Sequence, residues 1–229
     1  MAFPTSPSDN QVYKIGNRVW VYDSTLGVWD KVAANDTNIS DQTGVLGRGV
    51  TGGSGLDAQA GNQVLISTQT ANGNPGVAFS SSLITDTYDD YILDINGVVP
   101  VTNGAHPFIQ MSADNGSTFP SIATGRNYEE MGGTGTGHEY NNEAYIVIGW
   151  TLSNTATEGA SARVLFHDLR NASKWKHGSF FTSARHSSNR YAWHGGFECK
   201  TTSAINWLNF KYHVGNVSSG RFNLYGIKK

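Results

Sequence analysis

From residue 64 to the C-terminus the chain repeats one device: a short run in which β-branched or aromatic residues alternate with polar ones, closed by a cluster of turn formers. VLISTQT, YDDYILDI, PFIQMSAD, EAYIVIGWTL, ARVLFHDLR, KHGSFFTSA, YAWHGGFECK, INWLNFKYHV and RFNLYGI are such runs, and Thr102-Asn103-Gly104, Asp114-Asn115-Gly116 and Ser218-Ser219-Gly220 are such clusters. A period of two sends successive side chains to opposite faces, as a half-buried strand requires, and no stretch sustains the 3.6 period of an amphipathic helix. Many short strands with turn chemistry between them predict an all-β chain, with an antiparallel β-sandwich of jelly-roll type over residues 64–229. Charged residues make up only 15%, below the usual ~25%, and Gly, Ser, Thr and Asn fill the difference, which again suits tight turns. The polar stretch GRNYEEMGGTGTGHEYNN (residues 125–142) is expected as a long surface loop.

Two shorter zones precede the sandwich. Residues 1–33 contain QVYKI and RVWVYD around Gly16-Asn17, a hairpin signal, and a second turn at Leu26-Gly27 leads into VWDKV. Val12, Val19, Val21, Tyr13, Trp20, Tyr22 and Trp29 are too much apolar surface for so small a ribbon to hide by itself. An attachment module is expected, with Tyr13, Trp20, Tyr22 and Trp29 as its docking residues. Residues 34–63 are rich in Gly and small polar residues and read as an extended tether. Within them Gly47-Arg48-Gly49-Val50-Thr51-Gly52 matches G-x-G-x-x-G, but lacks the preceding strand and following helix that would aim a pyrophosphate at a helix N-terminus.

Charge and cysteine content remove several classes of function. Lys+Arg 16 against Asp+Glu 18 gives a net charge of −2, so no global field draws the chain to nucleic acid or an anionic membrane. The lone Cys199 excludes an internal disulfide and a cysteine-rich zinc site, and reads as a small buried strand residue. The N-terminus MAFPTSPSDNQ has no basic segment followed by an apolar run, so no signal peptide is expected, and no apolar stretch is long enough for a membrane helix.

Three places hold residue types that could carry chemistry. Asp86, Asp89, Asp90 and Asp94 crowd ITDTYDDYILDI, but on one strand Asp90 and Asp94 lie ~13 Å apart, too far to share an ion with ligands at ~2.4 Å. They are expected as a turn residue and polar strand positions that discourage edge pairing, with Tyr91, Leu93 and Ile95 on the other face. Glu129, Glu130, Glu139 and Glu143 share the long loop, where two could flank a glycosidic bond or all could simply be solvated. No metal and no cofactor is implied. The segment KWKHGSFFTSARHSSNRYAWHGGF (174–197) interleaves Trp175, Tyr191 and Trp193 with His177, Arg185, His186 and Arg190. Aromatic faces beside hydrogen-bond donors suit sugar rings, so these residues form the candidate glycan set. The alternative is that the aromatics are core residues and the basic residues their solvent face.

Three segments carry a resemblance. Pro4, Pro7, Asp9, Tyr13, Arg18-Val19-Trp20-Val21-Tyr22-Asp23 and Trp29 resemble a short module of bacteriophage tail-fibre and other virion proteins. SSLITDTYDDYILDINGVVPVTNGAHPFIQMSADNGSTF (81–119) and the ending SSGRFNLYGIKK resemble a second virion-associated pattern. Residues 120–215 carry no matching motif. The resemblance implies a non-enzymatic virion component, made in the host cytoplasm: a homo-oligomer, expected as a homotrimer, whose N-terminal part binds other virion proteins of tail or capsid and whose β domain contacts host-surface glycan. It supplies no catalytic residues. A tail fibre is the first expectation, a capsid head fibre or decoration protein the second, and a glycan depolymerase or a free lectin-like domain the others.

Overall fold

The computed structural model describes residues 3–15, 18–32, 63–130, 136–186 and 189–227. The tether expected over 34–63, apart from Gln63, lies outside the described residues, as does the glycine fingerprint. No helix occurs among the described residues. The chain forms two units, Met1–Gly61 and Asn62–Lys229.

In the first unit β1 (Val12–Ile15), β2 (Arg18–Asp23) and β3 (Val28–Val32) form an antiparallel sheet in that order. Ile15 pairs with Arg18, which leaves a two-residue connection where Gly16-Asn17 stands. At the second turn Gly27 takes φ 68° and donates its N–H to the Asp23 carbonyl, while the Asp23 carboxylate accepts from the N–H groups of Thr25 and Leu26. The φ value explains the glycine, since a side chain is strained there. The hairpin module thus gains a third strand from VWDKV.

The second unit is an antiparallel β-sandwich. Its strands are β4 (Gln63–Asn74), β5 (Val77–Phe79), β6 (Asp90–Pro100), β7 (Pro107–Ser112), β8 (Ile122–Glu130), β9 (Thr136–Glu143), β10 (Ile146–Val147), β11 (Ala160–His167), β12 (Lys176–His186), β13 (Asn189–Cys199), β14 (Trp207–Tyr212) and β15 (Val217–Ile227). One sheet has the order β4-β15-β6-β11-β12-β13-β8-β9, the other β10-β7-β14-β5. Alternation decides what is buried: every second residue of β11 from Ala160 to Phe166 is buried, and β14 likewise alternates. Tyr91, Leu93, Val164, Phe166, Phe222 and Leu224 from the large sheet join Ile109, Met111, Leu208 and Phe210 from the small one in a single core. Phe210 and Phe222 meet across the layers with ring centroids 5.0 Å apart. Full burial of side chains of this size contributes about 1.5–3 kcal/mol each.

Three sequence expectations are corrected. The stretch 125–142 is not a loop: its flanks are β8 and β9, paired with Gly125 opposite Glu139. Four strands cannot cover eight, so a rim strand needs no alternating apolar face, and polar composition there masks a hairpin. In EAYIVIGWTL only Glu143, the end of β9, and Ile146–Val147 are strand: the ladder to β7 stops at Pro107, which accepts the Ile148 N–H but has no N–H to return, and Gly149 packs on the Pro107 ring. The aspartates of β6 guard no edge, since β6 is paired on both sides, to β11 and to β15. Asp94 instead pairs with Arg163 on β11 at 3.4 Å, and Asp86 with Arg170 at 2.7 Å.

The segments quoted for the resemblance are bound into this fold by packing. Gly226 of LYGI lies under the ring of Tyr88 of TYDDY, where a Cβ would come within 2.3 Å of that ring. In SADNGSTF the Asp114 carboxylate accepts from the hydroxyls of Ser112 and Thr118, both at 2.6 Å, and from the N–H groups of Ser117 and Thr118. Those bonds, led by Ser112, hold the Asp114 carboxyl at about 2 against its ordinary 3.8. A carboxyl depressed on folding stabilises above the unfolded value and loses that contribution as pH falls through the folded one. Replacing Asp114 with Asn is therefore expected to flatten the fall in stability between about pH 4 and pH 2, read from urea midpoints across that window. Superimposable acid profiles for the two proteins would remove Asp114 as the titrating lock.

Candidate functional site

The β12–β13 hairpin positions the candidate glycan set. Its register runs from Lys176 opposite Cys199 to His186 opposite Asn189. Period two then sends His177, Ser179, Phe181 and Arg185 of β12 outward, together with Arg190, His194, Gly196 and Glu198 of β13. Tyr191 and Trp193 have the opposite parity and face the core. Trp193 is 1% exposed and stacks on Tyr191 with centroids 5.0 Å apart.

The candidate set is thus divided rather than gathered. His177, Arg185 and Arg190 are exposed on the outer face, His186 is half-buried with Tyr191 on the inner side, and Trp175 is exposed in the loop before β12. Trp193 is removed as a sugar platform by its burial. Arg185 pairs with Glu158 at 3.4 Å. The outer face does carry an aromatic ring that the sequence reading passed over: Phe181, 53% exposed, opposite His194. The doublet Phe180-Phe181 was the signal, since a strand must turn one of two adjacent rings outward.

Beside Phe181 the outer face is flat. Ser179, Gly196 and Gly125 lie side by side on β12, β13 and β8. Neither glycine is forced by packing: nothing lies within 4 Å of a Cβ built at Gly125, and at Gly196 the nearest atom is 3.5 Å away. A glycine that packing does not require weakens a strand and suits a place where another chain or a ligand approaches the backbone. One row nearer the strand ends, Asp90, His167, His177 and Glu198 follow one another across β6, β11, β12 and β13. The Asp90 carboxylate lies 3.2 Å from His167 Nδ1 and accepts the Asp168 N–H at 2.8 Å. Among the described residues no group of three His, Cys, Asp or Glu could hold a metal ion.

The loop presenting Trp175 is held from inside by Lys176. This residue is fully buried, and its Nζ donates to the carbonyls of Asn171, Lys174 and Thr201 at 2.5, 2.8 and 3.3 Å. Burial lowers its pKa. Strand parity puts Lys176 on the core side, opposite Cys199, while its neighbour His177 faces outward. The Cys199 thiol is pushed up to about 12 by burial, which suits the inert structural cysteine expected.

The docking residues behave differently. Tyr13, Trp20, Tyr22 and Trp29 do share one face of the three-stranded sheet, and Phe3 lies across them, stacked on Trp29 at 5.2 Å and edge-on to Trp20 at 5.4 Å. The opposite face carries Val12, Val19, Val21 and Val28, with Val12 and Val28 exposed.

No family model, curated protein or solved structure matches the chain.

Proposed function

We propose that this chain is a non-enzymatic attachment protein of a bacteriophage particle, an oligomeric tail fibre whose small unit binds other virion proteins and whose sandwich contacts host-surface glycan. One observation carries the docking half: no side chain described in the three-stranded unit is buried, although five aromatic rings and a row of valines are concentrated in it. A sheet with apolar surface on both faces and no buried residue lacks the core needed to stand alone in water, so a partner must complete it. The sandwich, by contrast, owns its whole core. The virion assignment itself rests on the resemblance of the N-terminal, central and C-terminal segments.

Removing residues 1–33 is expected to abolish incorporation into particles and leave the far-ultraviolet circular dichroism of the sandwich unchanged. Normal loading of the truncated protein would sink the docking role. A capsid-surface fibre uses the same arrangement, and labelling particles with an antibody to the sandwich separates the two. The depolymerase alternative is weaker. The register sets Glu139 opposite Gly125, so the backbone positions of Glu129 and Glu139 are four residues out of step along the β8–β9 pair rather than opposite one another.

A further inference from the structure

We propose that the end of the sandwich away from Gln63 carries a hexopyranose-binding platform built from Trp150, His106 and His213. This rests on the glycan half of the proposed function and is independent of the docking half.

The chain enters the sandwich at Gln63, which pairs with Ile227 at the end of β15. At the other end of β15, roughly 33 Å along the strand, three loops meet: 101–106, 148–159 and 213–216. They are tied to one another through the backbone. Val101 N–H donates to the Asn216 carbonyl, Gly104 N–H to that of Leu152, Leu152 N–H to that of Ala105, and His213 N–H to that of His106. The platform is therefore fixed before any ligand arrives, which lowers the ordering cost of binding.

On this frame Trp150 is 41% exposed, its ring 3.7 Å from His106 between centroids, and His106 is 4.3 Å from His213. An imidazole behind an indole fixes the indole's plane while leaving apolar ring surface in water. Val101 and Val214 are exposed on the same loops. Polar groups accompany them. The His106 backbone N–H donates to His213 Nδ1 at 2.9 Å, so the neutral ring carries its proton on Nε2 as a hydrogen-bond donor. Asn154, on the middle loop, donates to the Val101 carbonyl. A rigid aromatic face beside imidazole and amide groups matches a ring that has an apolar C–H face and a rim of hydroxyls, and a hexopyranose has both. The near-neutral chain argues for an uncharged sugar surface over a phosphate-rich one.

The test is an array printed with α- and β-linked glucosides, galactosides, mannosides and their N-acetylamino counterparts, probed with the full chain. The wild type is expected to bind at least one of them. Trp150→Ala is expected to weaken that binding about tenfold or more, Trp150→Phe to stay within about threefold, and Leu65→Ala, an exposed position on β4 near Gln63, to leave it unchanged. Should Trp150→Ala melt below the assay temperature, Val101→Asp, which puts a charge on the same loops, replaces it with the same expected loss. Wild-type binding that survives Trp150→Ala overturns the platform alone, and loss with Phe181→Ala instead moves the glycan site to the outer sheet face. A wild type blank on every sugar overturns the platform and the glycan half together. Unchanged binding with an altered gel-filtration volume for Trp150→Ala makes the ring a subunit contact and likewise overturns the proposal.

Discussion

Alanine at Gly178 is expected to cost the sandwich about 3 kcal/mol or more, a fall of about 6–12 °C in melting temperature for a unit of this size. Gly178 lies on the inner face of β12, where an added Cβ would sit 2.2 Å from the Leu165 carbonyl oxygen and 2.2 Å from the Phe197 ring. The first of these neighbours is backbone of β11 and cannot swing aside. The second is a core ring already packed edge-on to Phe166 at 5.6 Å. Relief would require β11 and β12 to separate in the middle of the large sheet, so the methyl group breaks packing that it cannot join. Gly125→Ala is the matched control. Open space surrounds its Cβ, and alanine there restricts the unfolded chain, so a gain of about 0.4–1 kcal/mol is expected. Thermal melts of both variants decide the matter, and equal melting temperatures would mean that the Leu165 carbonyl and the Phe197 ring do not close off the space beside Gly178.

That contrast shows what the sequence could reveal about this fold. Alternation in YDDYILDI was enough to put Tyr91, Leu93 and Ile95 together on one face, the buried one, because a strand has only two sides. It could not say which strands are neighbours. The separation of Asp90 from Asp94 argues against a shared ion, but their partners Arg163 and His167 come from β11, which only the sheet order brings alongside. The candidate glycan set is divided for the same reason in reverse: its residues are near in sequence, and parity sends Trp193 inward and His177 outward. Trp150, His106 and His213 show the complementary blindness. They lie in three separate loops, and no local pattern announces that backbone pairing will bring them together.

Replacing Lys176 with Met is expected to destabilise the sandwich by about 2–3 kcal/mol and to release the loop that presents Trp175. Two terms oppose each other. Burying an ammonium costs several kcal/mol, and methionine, which keeps the length of the stem, removes that cost. Against it, the carbonyls of Asn171, Lys174 and Thr201 lose a charged donor at once. The second term wins where the acceptors cannot turn to water, and here all three converge on one buried nitrogen. The Asn171 side chain adds a local lock by accepting from the N–H groups of Ser173 and Lys174, so the loop is a small cage closed from below by Lys176. Opening the cage need not unfold the sheets. Hydrogen exchange is therefore the sharper measurement: protection at 171–175 should fall more than at the centre of β12, and Trp175 emission should become easier to quench. A methionine variant as stable as the wild type, with unchanged exchange in this loop, would show that the buried ammonium is tolerated rather than needed.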